Sequence, residues 1–328
     1  MNNSTVLRFA CALLLVPVGL ANGKLVPAQD LPAAGVSPEV LKKLPLNPSQ
    51  LAELEEAYNS RNYPRAETLL VDESARNPKS ADLLIAAANI FFLDSKYLNC
   101  AIALKKAEAI KPLSDQDRFV LAMSYIVLNH RDWARPELEK LIHSDPREVK
   151  YPYWLGRIEY DLMEYDAAAL HLQAALALDP SFLKAYDNLG LTYEGLARYD
   201  EAIRNYRQAT NLNRLQTHPS PWPPLNLGAL LVKLGRLPEA QDCLQESLRY
   251  DPHLSKAHYE MGLLCEKQTR EQAALHELRL SAQYDPYDPQ PHYAMGRVYQ
   301  NLGDKVSAGA EWRIFEALEK NRNRLTTN

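Results

Sequence analysis

The sequence carries no marked excess of charge of either sign: 37 Lys and Arg stand against 41 Asp and Glu in 328 residues. That near balance argues against a nucleic-acid-binding surface, which needs a basic surplus. Cysteine is scarce, with four in the chain, so a disulfide framework is excluded. The eight histidines never fall at metal-ligand spacing with cysteine or carboxylate neighbours. No phosphate-cradling glycine loop and no nucleophile elbow occurs. No catalytic residue, cofactor or metal is therefore expected. Beyond residue 20 no apolar run approaches the roughly 20 residues that a membrane-crossing helix needs.

The start of the chain differs from the rest. Arg8 is the only charged side chain before Lys24, and Phe9 to Leu20 is apolar throughout, too short to span a bilayer as a helix. Small residues stand at its end and just beyond, at Gly19, Ala21 and Gly23. This is the layout of a secretory signal peptide over 1–21, with cleavage after Ala21 or Gly23, and it predicts an exported protein, periplasmic or secreted. Residues 22–46 contain Pro27, Pro32, Pro38 and Pro45, which prevent a long helix. They read as an extended leader with one short helix from Ser37, whose apolar residues Leu31, Val36, Leu41 and Leu44 can pack elsewhere.

From there on, three residue types keep one period. Pro78, Pro112, Pro146 and Pro180 are 34 apart; an insertion of four then shifts the series to Pro252 and Pro286. Gly156 and Gly190, then Gly228, Gly262 and Gly296, carry the same interval and the same shift, as do Ala134, Ala168, Ala202, Ala240, Ala274 and Ala308. The order Gly190, Tyr193, Ala202, Tyr206, Ala209, with a proline closing the unit, resembles the tetratricopeptide repeat family. The resemblance implies an all-α fold: a right-handed superhelical solenoid of antiparallel helix pairs, with eight units over 47–322, a short insertion at 217–220 and a frayed tail at 323–328. Central units match best. The first has Leu54 at the glycine position, and the second has Ala88 and Cys100 for glycine and alanine.

One unit cannot bury its own apolar stripe, so neighbours stack into a continuous core. In 183–216 the glycine and alanine mark a close helix crossing, and Asp200 is expected to cap the second helix. In the last unit Gly309 should interrupt the second helix, with Trp312 and Phe315 facing the preceding unit. Residues 217–224, with four prolines, read as a longer loop or as a break that turns Trp222 to the concave side. Cys243 and Cys265 fall on helices expected to pack together, so they are either buried free thiols or a bridged pair. His258 and His292, 34 apart, read as packing residues.

What the resemblance implies about function is binding without catalysis. First helices of successive units line a concave groove that takes a peptide or protein segment. The inward positions are Ile85, Asn89, Phe92, Phe119, Met123 and Ile126 in the second and third units, then Lys150, Tyr153, Arg157 and Tyr160, then Lys184, Asp187, Leu191 and Glu194, and further on Trp222, Leu225, Tyr259, Leu263, Tyr293 and Arg297. The apolar members predict a bare patch over the second to fourth units, open to a partner or covered by the leader. The main reading is a protein-binding adaptor or scaffold in envelope or secretory assembly. The alternatives are a self-associating component of a larger complex and a glycan-binding module or enzyme using the tyrosine-rich groove.

Overall fold

A computed structural model of the chain describes residue 41 and residues 43–326. The signal peptide and most of the leader lie outside them. The described residues hold sixteen helices and no strand. In chain order they pair as α1 (Pro48–Asn59) with α2 (Tyr63–Arg76), α3 (Ala81–Leu93) with α4 (Tyr97–Glu108), α5 (Asp115–Val127) with α6 (Arg131–Ser144), and α7 (Lys150–Asp161) with α8 (Tyr165–Leu178). The second half continues with α9 (Leu183–Gly195) and α10 (Tyr199–Arg214), α11 (Trp222–Lys233) and α12 (Leu237–Tyr250), α13 (Ser255–Lys267) and α14 (Glu271–Tyr284), and α15 (Gln290–Asn301) and α16 (Lys305–Thr326). Each helix packs on the next, and first helices also touch along the series, α3 on α5, α7 on α9, α9 on α11, α11 on α13 and α13 on α15. The first helices thereby form the inner wall of a superhelix.

Each periodic residue has a physical task. The alanines from Ala134 to Ala308 are buried, and the glycines sit where the partner helix crosses. A Cβ on Gly156, Gly228 or Gly262 would come within 2.8 Å of Leu172, Leu244 or Leu278, in each case sixteen residues further on. The Asp before the later prolines makes an Asx turn: Asp145, Asp179, Asp251 and Asp285 each accept the backbone N–H two residues on, at 2.8 to 3.2 Å. The proline then starts the connection where its missing N–H is not needed.

A further period runs through the turns inside each unit. Arg61, Ser95, Asn129, Met163, Ala197, Gly235, Thr269 and Gly303 all have positive φ, between 56° and 79°. In every case the N–H of the following residue closes a bond to the carbonyl five residues before it, as in Arg198 N–H to Tyr193 O at 2.8 Å. This is the left-handed helix stop that glycine favours, here filled mostly by other residues.

Several expectations change. Asp200 does not cap α10; Arg198 holds that position, and Asp200 lies in the first turn of the helix. Gly309 does not interrupt α16, which runs on to Thr326 where a frayed tail was expected. Trp312 meets Gly296, and the Phe315 ring lies tilted against Tyr293 at 5.3 Å, so both pack on the first helix of their own unit. Cys100, Cys243 and Cys265 are free thiols. Burial pushes the Cys100 thiol up to about 12 and Cys243 up to about 11. Leu41 and Leu44 are buried with Leu54, Leu70, Leu83 and Ile90, so this end of the leader closes the core of the first unit.

At the insertion the proline series lands on Arg214, and here α10 is the longest second helix before the last. Asn213, 1% exposed, donates Nδ2 to the Ser220 carbonyl at 2.7 Å and accepts the Ser220 N–H at 2.8 Å. That clamp fixes the loop, and Pro223 and Pro224 follow in the first turn of α11, where their missing donors cost nothing.

Candidate binding groove on the inner wall

The expected apolar patch over the second to fourth units is not bare. Met123 is fully buried, Phe92 and Phe119 are 4% and 6% exposed, and Ile85 and Asn89 are buried beside them. The reason is local: α3 touches α5, and these side chains join the main core cluster. Phe92 packs edge-on against Tyr97 at 5.2 Å and Phe119 against Tyr151 at 5.5 Å. Asn89 donates to the Ile85 carbonyl at 3.0 Å and to Asp117 at 3.4 Å. Ile126 is half-buried against the same cluster.

The open groove lies further along, where α7, α9, α11, α13 and α15 face inward. It has a volume of about 710 Å³. Tyr153, Arg157, Trp222 and Tyr259 are among the inward positions that line it. Tyr160 is half-buried beside Tyr165, and Tyr293 is exposed under Arg297; neither lines the groove. Tyr153 forms part of the floor, 3% exposed, with its ring on Phe182 at 4.8 Å. Burial raises its pKa. Trp222, 43% exposed, stands at the rim with the Lys256 ammonium 5.5 Å from its ring centroid, a cation–π distance.

Polar groups make up the rest of the wall. Asn188 donates to the Lys184 carbonyl at 2.7 Å and reaches the Tyr153 hydroxyl at 3.4 Å. Asn226 donates to both oxygens of Asp187 at 3.0 and 3.1 Å. Burial lowers the pKa of Lys184. Half-buried Glu260 is pushed up to about 7, first by burial and then by the charge of Glu194. The groove can thus offer aromatic faces, amide and hydroxyl groups and charges of both signs.

The site list drawn from the sequence omitted Lys256, Glu260 and Asp288. The signal for Glu260 was present: Asn188, Asn226 and Glu260 occupy one register, separated by 38 and 34 residues. Lys256 likewise stands in register with Lys184 and Trp222.

Among the described residues no cluster of metal-ligating side chains occurs, and no helix is long and apolar enough to cross a membrane. His258 bonds Glu277 at 2.7 Å and the Pro252 carbonyl at 3.0 Å, and His292 bonds Glu311 at 2.7 Å.

Comparison with known proteins agrees with the repeat geometry. One model described as tetratricopeptide repeat matches residues 119–181 and 225–289, and a second with the same description matches 183–214. A stretch of 174 residues is 28% identical to the DNA mismatch repair protein MutL of Thermus aquaticus, covering 44% of this chain and 32% of that protein. The match thus spans about a third of that relative's length. Among solved structures, a tetratricopeptide repeat protein from Parabacteroides merdae superposes with a TM-score of 0.60 at 13% identity, over 79% of this chain and 99% of its own. PilW, a type IV pilus biogenesis factor, gives 0.57 at 19% identity, over 62% and 92%. PilF of Pseudomonas aeruginosa gives 0.53 at 20% identity, over 66% and 96%. At such identities these structures bear on the fold alone; the matched residues 119–181, 183–214 and 225–289 show that the chain is built of tetratricopeptide repeats, the repeats of a protein-interaction scaffold.

Proposed function

We propose that the chain is a non-catalytic scaffold that docks an extended peptide or protein segment in the groove between α7 and α15. The observation that carries this reading is the exposed Trp222 beside a groove of about 710 Å³ whose walls mix aromatic rings with charged and amide side chains. Trp, Tyr and Arg are the residues that most often dominate binding energy at protein interfaces. Export is part of the proposal and rests on the apolar run from Phe9 to Leu20 with its small flanking residues. N-terminal sequencing of protein from its native host should then begin between residues 22 and 24.

A photoreactive amino acid placed at Leu191 in the groove, and as a control at exposed Leu170 on α8, tests the docking site in the native cell. The groove position should trap one defined segment, while Leu170 should not. Trp222→Ala should abolish the adduct. Equal labelling at both positions, or adducts indifferent to Trp222→Ala, would discard the groove.

A further inference from the structure

Of the three acidic side chains that line the groove, two have hydrogen-bond partners. Asp187 is bonded by Asn226, and Asp288 accepts the Gln290 N–H at 3.0 Å. Lys256 lies over Trp222. Glu260 lines the same groove, yet among the described residues it has neither a hydrogen bond nor an ion pair. Each neighbouring element explains why. On its own helix Lys256 is one turn away, but its ammonium is at the Trp222 ring. On α9, Glu194 adds negative charge and is itself held by the Tyr206 hydroxyl at 3.3 Å and by Lys233 of α11 at 3.1 Å. On α15, Arg297 is committed to Glu266 at 2.6 Å.

An acidic side chain turned into a half-closed groove without a cation is costly to keep ionised. The same register holds neutral amides in the two preceding units, Asn188 and Asn226. Only at Glu260 does the inner wall change from an amide to an acid. Resting on the docking reading above, we propose that Glu260 receives a lysine or arginine side chain of the docked segment. Trp222 and Tyr259 line the same groove and suit the aliphatic stem and the face of such a side chain. The raised pKa of Glu260 agrees with this vacancy, because a cation in contact would return the carboxyl toward its ordinary range.

Decapeptide libraries with random flanks and a fixed central Lys, Arg, norleucine or Glu, applied to the full chain at mildly alkaline pH, test the assignment. The chain should retain the Lys and Arg libraries about tenfold more than norleucine, the ratio that one modest ionic contact supplies. Glu260→Gln should remove that preference while leaving norleucine retention unchanged, and Glu260→Lys should favour the Glu library. Equal retention by the unaltered chain, or a Lys preference that survives Glu260→Gln, overturns the assignment. Ala229→Arg, with Leu191→Arg as a second block, separates this from the groove itself, since both positions line it. If peptides bind, lose binding in the blocked variants and show no basic preference, the groove stands and Glu260 is not its anchor. If no library is retained, or blocking changes nothing, the groove reading and the anchor fall together.

Discussion

Gly190 of α9 lies against the ring of Tyr206 of α10, so closely that a Cβ there would stand 2.5 Å from Cε1 and 2.9 Å from Cγ. Tyr206 is completely buried and cannot swing away. Gly190→Ala should therefore destabilise the chain by about 1–3 kcal/mol, the cost of forcing a packed aromatic aside. Gly309 is the internal control, because a Cβ added there meets nothing within 4 Å. In the interior of α16 an alanine should stabilise by about 0.5–1 kcal/mol. Urea denaturation of both variants checks the pair; the same sign at both positions would refute the close crossing.

Thr269 holds φ at 56° in the turn between α13 and α14, an unfavourable conformation for a β-branched residue. Thr269→Gly removes that strain but loosens the unfolded chain, for a net gain of about 0.5–1 kcal/mol. Gly303, at φ 79° with open space around it, should show the reverse when changed to Thr. Melting temperatures of the two variants should move in opposite directions.

Arg214 grips Glu246 of α12 with two bonds, Nε at 2.8 Å and Nη2 at 2.5 Å, and the Tyr250 hydroxyl adds a third at 2.9 Å. Glu246 is only 4% exposed, and the Arg214 bond lowers its pKa. Arg214→Met should cost about 1.5–3 kcal/mol at neutral pH by leaving the buried carboxylate without its counter-charge. Because the folded-state pKa is depressed, the stabilisation is present above the ordinary value of 4.5 and is lost as pH falls through the folded value. The difference between variant and parent should narrow in acid; a gap constant with pH would count against the ion pair.

His171 of α8 pairs with the buried carboxylate of Glu159 at 2.7 Å, and that hydrogen bond raises the imidazole pKa above 6.5. A raised folded-state pKa adds stability below the unfolded value, and the gain disappears as pH rises through the folded one. His171→Gln keeps a neutral hydrogen-bonding side chain. The parent should exceed it in stability most in mildly acidic buffer, with the advantage fading in alkaline buffer. Denaturation midpoints across that range test the sign.

The register of the inner wall shows where sequence reading stopped. The glycine, alanine and proline periods sufficed to place the helix pairs, because a 34-residue unit must bury one stripe against its neighbours and small residues mark the crossings. The turn period was invisible in residue type: only Gly235 and Gly303 of the eight left-handed positions are glycine. Ile85 and Met123 occupy the same inward registers as the groove residues Tyr259 and Arg157 further along, yet they are buried. Helical periodicity gives a residue's direction, not how closely the next helix approaches it.

The sequence by itself determined the repeat length, the helix pairing, the site of the insertion and the family resemblance, since all of these follow from the spacing of small, apolar and turn-forming residues. Only the tertiary structure decided which inward positions remain open, since α3 and α5 close over one end of the wall while α7 to α15 leave a groove. It also decided that Glu260 lacks a counter-charge, because that depends on Lys256 lying over Trp222, Arg297 bonding Glu266 and Lys233 bonding Glu194. Pairing of side chains from different units rests on angles between helices, which residue spacing along one chain does not encode.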